Sequence, residues 1–223
     1  MDVVVRCVTL IADSSSMPRL HPNTINDAIK YLAKHDKKLK TYVTNDTTIR
    51  YRKRKFCFGT FINVVVNQQL SDKASDTIRH RIYALLNDQI TPTRFLETKT
   101  ADLRKCGVSN QKIQHLRSIA TVIQSDPKYF FRLEKREVEE CCRELLTLKG
   151  IGPWSASIIA LFYIGHSDVL VEGDATINKV LSGLYDAEIN DVPTQIHKLT
   201  EKWKPYRSVG CMLCWYIYDN GLI

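Results

Sequence analysis

The feature that most constrains this chain is a pair of glycines one residue apart, Gly150 and Gly152, set between two apolar segments of helical spacing. Before it, Val138, Cys141, Cys142, Leu145 and Leu146 recur at three- and four-residue intervals, and after it Ala156, Ile159, Ala160 and Tyr163 do the same. That spacing gathers each set on one core-facing helix face, so the stretch reads as helix, tight hairpin, helix. Glycine lacks a Cβ and reaches positive φ at little cost, which lets Gly150-Ile151-Gly152 turn sharply with bare backbone outward and Ile151 as an inward plug. Pro153 suits the first helical turn, where no N–H is needed. The glycine amides, with the orphan donors of the second helix, form a cluster of N–H groups suited to a phosphate. A plain joint between two core helices accounts for the glycines as well, and both readings stay open at this point.

The 223 residues suffice for a substantial core without a metal or disulfide staple. No apolar run is long enough to span a bilayer, and the start, MDVVVRCVTLIADSSS, lacks the basic segment of a secretory signal, so a soluble intracellular protein with no membrane partner is expected. The seven cysteines are odd in number and scattered (Cys7, Cys57, Cys106, Cys141, Cys142, Cys211, Cys214), and read as reduced, mostly buried thiols. Cys211-x-x-Cys214 has no second pair after it and reads as core packing, with no metal and no cofactor. The formal net charge of +8 favours a polyanionic partner. Nearly all the excess falls between Lys34 and Lys55, where nine Lys or Arg face two Asp. A basic surface, a DNA contact and a targeting signal at RYRKRK each explain that segment.

Taken in order, residues 1–12 pass for a strand and SSSMPRLHPNT for a loop, after which Asn23 or Thr24 caps a helix carrying Ile25, Ile29 and Leu32. TYVTNDTTIRYRKRK reads as a loop or hairpin. Phe58, Phe61, Ile62, Val65 and Val66 trace a helical stripe that ends at Asn67-Gln68-Gln69-Leu70-Ser71, where uncharged amides would ordinarily cap the ends. Ile78, Ile82, Leu85 and Leu86 form the next stripe, up to Pro92. In LRKCGVSNQKIQHLRSIATVI a helix stops at Gly107 and another restarts at Ser109 or Asn110, with Ile113, Leu116, Ala120 and Ile123 inward. Ile177, Val180, Leu181 and Leu184 mark one further helix, and Val192, Ile196, Leu199 and Trp203 another. The last helix runs through YRSVGCMLCWYIY. The class is all-α. Asp174, after Gly173 and before an apolar helical pattern, reads as an N-cap.

The run L-K-G-I-G-P-W-S-A, followed further on by V-E-G-D, resembles the helix-hairpin-helix signature of the DNA glycosylase superfamily that removes damaged bases. Within it the match is closest to the 3-methyladenine DNA glycosylase II family, and it extends from about Phe56 to Tyr216. The resemblance implies two helical subdomains flanking a cleft: residues 1–57 packing with the C-terminal helices, residues 58–165 forming a barrel-like domain that ends in the hairpin, and residues 166–223 carrying the catalytic segment. Longer relatives begin with a sheet-containing domain, of which at most a short N-terminal strand remnant is expected here. F-x-x-x-V-x-x-Q-Q-L-S-x-K-A resembles the segment that enters the minor groove and fills the gap left by a flipped base, which makes Gln69 the wedge. Val108 and Ser109 match the loop that presses on the opposite strand. Lys149, Gly150, Ile151 and Gly152 match the hairpin that holds the phosphodiester, although Lys149 stands where proline is common.

The V-x-G-D match makes Asp174 the catalytic aspartate, ahead of Asp168 and Glu172. Trp215 resembles the tryptophan that stacks on the extruded base, and Trp154 is a second candidate ring for the base pocket. Breaking an N-glycosidic bond develops positive charge on the sugar, which a nearby carboxylate stabilises. An alkylated purine leaves readily, so one essential carboxylate suffices. Superfamily members that cleave the strand through a Schiff base carry a lysine two residues after G-x-G, where this chain has Trp154. Relatives resembling endonuclease III hold an iron–sulfur cluster on four cysteines after the catalytic segment, and this chain has two there. The resemblance therefore implies a monofunctional, cofactor-free glycosylase for alkylated purines of the 3-methyladenine type. It would act as a monomer on double-stranded DNA with damaged bases, in the nucleus or in a cytoplasmic nucleoid. A non-catalytic hairpin module that only grips DNA, and a glycosylase for another damaged base, are the competing expectations.

Overall fold

A computed structural model describes residues 19–44 and 47–223, so the strand expected within residues 1–12 lies outside the described residues. The described elements are helical: α1 (Pro22–His35), α2 (Lys37–Lys40), α3 (Phe58–Asn67), α4 (Asp72–Leu85), α5 (Pro92–Glu97), α6 (Thr100–Lys105), α7 (Asn110–Ser125), α8 (Tyr129–Glu134), α9 (Val138–Leu146), α10 (Pro153–Ile159), a π-turn (Ala160–Ile164), α11 (Ala175–Tyr185), α12 (Val192–Thr200), a 3₁₀ turn (Glu201–Trp203) and α13 (Arg207–Asp219). The described residues form two compact units, one drawn from residues 1–54 with 160–223 and one of residues 55–159.

In the unit of residues 55–159, α3 is the core. Phe58, Phe61, Ile62, Val65 and Val66 are all buried, and α4, α7 and α10 pack around them. Burying such a side chain is worth about 1.5–3 kcal/mol. Phe56, Phe61, Tyr129 and Phe130 close one end as an aromatic cluster. Gly107 ends the α6 segment at φ +100, and Ser109 caps α7 by accepting the Lys112 amide. The stripe on α9 is narrower than its spacing predicts. Val138, Cys141 and Leu145 are buried and Cys142 half-buried, while Leu146 is 46% exposed, because one residue past Leu145 the helix has turned about 100° away from α10. Ile78 and Leu85 are likewise only half-buried on α4.

The unit of residues 1–54 with 160–223 is built on α13, whose Val209, Cys211, Leu213, Cys214 and Ile217 are fully buried. The ring of Trp203 lies so close to Gly210 that an added Cβ there would sit 2.2 Å from it. The first helix begins at Pro22, and Thr24 acts from its third position, its hydroxyl accepting the His21 amide and donating to the His21 carbonyl, where a cap at Asn23 or Thr24 was expected. The short α2 falls before the segment read as loop. Its cap, Asp36, is fully buried, accepts the Lys38 and Leu39 amides, and also receives Tyr185 Oη and Trp203 Nε1. Burial works to raise its pKa, but the bonds from Tyr185, Trp203 and Leu39 and the nearby Lys202 prevail and hold it below the ordinary carboxylate range.

Part of the basic segment is structural. Tyr51 is buried with its hydroxyl on the Leu161 carbonyl, and the Arg54 amide donates to the Phe162 carbonyl. These bonds satisfy acceptors of the π-turn, and the Leu20 amide satisfies the Gly165 carbonyl just beyond it.

Candidate active site and nucleic-acid interface

Asp174 caps α11. Gly173 precedes it at φ +75, a left-handed turn that suits glycine, and the Asp174 carboxylate accepts the Ile177 amide at 3.0 Å. The same oxygen, Oδ1, accepts the indole N–H of Trp215 at 3.2 Å. Trp215 stacks on Phe162 with ring centroids 5.6 Å apart and planes 25° from parallel. The fold thus unites the expected carboxylate and Trp215, and adds Phe162, which the sequence reading missed. Phe162 lies outside the stripe of Ala156, Ile159, Ala160 and Tyr163, and an aromatic residue off a buried stripe was the available signal. The π-turn explains its position, since the extra residue per turn leaves Phe162 half-buried while Leu161, Tyr163 and Ile164 enter the core.

The other two carboxylates of the segment are engaged differently. Asp168 is fully buried and accepts Arg207 Nε at 2.8 Å and Nη2 at 2.7 Å, a bidentate pair. Around it the 166–169 backbone is laced to the start of α13: the Ser208 amide donates to Ser167 O, Ser208 Oγ donates to His166 O, and the Val169 amide donates to Ser208 Oγ. Asp168 is therefore a strut that sets the origin of the Asp174 loop against the helix bearing Trp215. Glu172 is exposed and faces His197 at 3.3 Å. Cys211 and Cys214 are buried, with burial pushing the Cys211 thiol up to about 12, so both are inert packing groups.

The other group of expected residues lies in the unit of residues 55–159. Gly150 has φ +86, and a Cβ on it would meet His115 Nδ1 at 2.3 Å, so the fold itself demands glycine there. Gly152 has no positive φ and a Cβ on it would meet nothing within 4 Å, so none of the described residues requires its bareness. Between them Ile151 is buried, with its amide on the Leu148 carbonyl, while Lys149 and Gly152 are exposed. Trp154 sits half-buried on the first turn of α10, in this unit, whereas Trp215 belongs to the other.

At the end of α3, Gln69 is exposed and holds the left-handed conformation, φ 58, that a non-glycine residue adopts at a cost. Gln68 beside it points inward: its Nε2 donates to the Gly150 carbonyl at 2.9 Å and to Ser155 Oγ at 3.1 Å. Lys112 Nζ donates to the Val66 and Gln68 carbonyls at 2.9 and 2.8 Å. Sequence reasoning missed both Gln68 and Lys112, because only the fold shows which of two adjacent glutamines faces in. The expected loop contact also changes. Val108 is 1% exposed, leaving Ser109 as the exposed side chain of that turn. Alternation at the turn turns Val108 into the core.

Residues 62–205 match the HhH-GPD superfamily base excision DNA repair protein family. Among curated relatives, "DNA-3-methyladenine glycosylase 1" of Schizosaccharomyces pombe is 28% identical over 190 residues, covering 83% of this chain and 81% of its own length. Among solved structures, the DNA-3-methyladenine glycosidase of Bacillus halodurans aligns with a TM-score of 0.78 at 25% identity, covering 87% of this chain and 90% of that one. The Schizosaccharomyces pombe 3-methyladenine DNA glycosylase Mag1, in complex with abasic DNA, aligns with a TM-score of 0.71 at 26% identity, over 88% of this chain and 97% of that one. The fold is the all-α fold of these proteins.

Proposed function

The chain belongs to the HhH-GPD superfamily of base excision DNA repair proteins, and from that premise we propose that it is a monofunctional DNA glycosylase that releases alkylated purines of the 3-methyladenine type from duplex DNA. The observation that carries this reading is a carboxylate fixed beside a pair of stacked rings: Asp174 held by the Ile177 amide and the Trp215 indole, with Trp215 on Phe162. A base stacked in a duplex is out of reach, so the nucleotide rotates out of the helix first. An electron-poor purine then gains by stacking on the electron-rich face of Trp215. As its glycosidic bond lengthens, the sugar gains positive charge, which the Asp174 carboxylate stabilises while it orients the attacking water.

Duplex binding falls to backbone groups. The amides around Gly150 and Gly152, with Lys149 beside them, take a phosphate. Gln69 fills the space left by the extruded nucleotide, and Ser109 approaches the opposite strand. The protein works on DNA as a monomer, in the nucleus or nucleoid. Among the described residues no helix is long and apolar enough to cross a membrane. A lyase step needs an amine placed to attack the sugar, and Trp154 occupies the position where relatives that use one carry lysine.

The test is base release from a panel of alkylated, oxidised and deaminated duplexes, with borohydride present during turnover. Release of 3-methyladenine-type bases without a trapped protein–DNA adduct is expected, with strands breaking only after alkali or heat. Binding to every duplex without release of any base would favour the non-catalytic module, and a stoichiometric adduct abolished by one lysine substitution would overturn the monofunctional reading.

A further inference from the structure

Wedge and hairpin are far apart in sequence, yet one side chain joins them. The amide group of Gln68 donates to the Gly150 carbonyl, inside the hairpin, and to Ser155 Oγ on the first turn of α10. Its own carbonyl is gripped, with that of Val66, by Lys112 from α7. The next residue, Gln69, stands exposed at φ 58, a conformation with an intrinsic cost that persists only where the flanking backbone is held. What holds it is Gln68 on one side and, on the other, the Leu70 amide bonded to Asn67 O. His115, one turn along α7 from Lys112, lies directly against Gly150. The two DNA-facing features therefore share a mount.

We propose that Gln68 is a positioning residue that couples the wedge at Gln69 to the phosphate-binding hairpin, so that gripping the backbone and filling the gap left by an extruded nucleotide act as one event. This rests on the glycosylase reading for its biological meaning, but the coupling itself concerns DNA affinity and is measurable without chemistry. A phosphate drawn to the Gly150 and Gly152 amides fixes the Gly150 carbonyl, the carbonyl fixes the Gln68 amide, and Gln68 sets the backbone from which Gln69 projects. Gln68 touches no reacting atom in this scheme.

The experiment is a double-mutant cycle on Gln68→Ala and Gln69→Ala, reading affinity for a duplex with an abasic-site analogue and single-turnover release from damaged duplex and damaged single strand. Gln68→Ala is expected to cost about tenfold on duplex in both readings, the size usual for coupled neighbours, and less than about twofold in release from single strand. In the double variant the two losses are not additive, because a wedge already removed no longer needs its mount. Gln68→Glu, of equal length but unable to donate to the Gly150 carbonyl, behaves like Gln68→Ala. Lys112→Met, which keeps the stem and frees the Gln68 carbonyl, reproduces the pattern from the other side and serves if Gln68→Ala folds poorly. Additive losses, or equal losses on duplex and single strand, would overturn the coupling. If the unaltered protein releases no base while the affinity cycle stays non-additive, the glycosylase reading fails alone and the coupling stands.

Discussion

The two groups of candidate site residues would work by different chemistry. In the unit of residues 1–54 with 160–223 the candidate chemistry is borne by side chains: a carboxylate, an indole and a phenyl ring, each placed by a bond or a stack. In the unit of residues 55–159 it is borne largely by backbone: a hairpin turned at a positive-φ Gly150, an exposed Gly152, and a left-handed Gln69. Backbone amides meet a phosphate in the same way under any base, whereas a carboxylate beside rings acts on one sugar and one base. Binding and bond breaking should thus be separable by mutation.

The sharpest break of that comparison is Asp174→Asn. Asparagine caps a helix about as well as aspartate, so α11 stays in place. Single-turnover release is expected to fall about 10²- to 10³-fold, with duplex affinity nearly unchanged. Near-normal release would remove Asp174 from the chemistry.

Trp215 divides the side-chain group further. Trp215→Ala should cost about 1–3 kcal/mol of stacking on the extruded base. Trp215→Phe keeps a ring against Phe162 but loses the indole bond to Asp174, and is expected to cost only about 0.5–1.5 kcal/mol in release. Equal losses in the two variants would place the indole N–H, not the ring, at the centre of its role.

On the backbone side the two glycines are predicted to part company. Gly152→Ala meets no neighbour, so its thermal midpoint should be that of the unaltered protein while its affinity for damaged and undamaged duplexes falls alike. Gly150→Ala sets a side chain at φ +86 against His115, and its stability should drop by about 1–2 kcal/mol from the left-handed backbone alone. A Gly152→Ala defect confined to damaged DNA would move the hairpin into the base pocket.

At Gln69 the expected change in stability is small and favourable. Gln69→Gly relieves a left-handed non-glycine residue and should raise stability by up to about 1 kcal/mol, while release from duplex falls and release from single strand does not. Unequal signs in stability and function at one residue mark strain held for a purpose. Loss of both together would make Gln69 an ordinary part of the fold.

Much of this molecule was determined by the sequence alone, because its signals are local. The stripes of α3, α7 and α11, the stop at Gly107, and the hairpin at Gly150 to Gly152 follow from helical period and from what glycine and proline do to a backbone. Asp174 as a helix cap was equally legible, since a cap and its helix are neighbours in the chain. What the tertiary structure decided are relations between residues far apart: the Trp215 indole on Asp174, Phe162 under Trp215, Asp168 spent on Arg207, and Asp36 joined to Tyr185 and Trp203. It also decided orientation, turning Val108 inward and, against its helical spacing, Leu146 outward, and choosing Gln68, not Gln69, to tie α3 to the hairpin. A hydrogen bond between residues scores or hundreds of positions apart leaves no mark on the local spacing of either, so only the folded chain can reveal it.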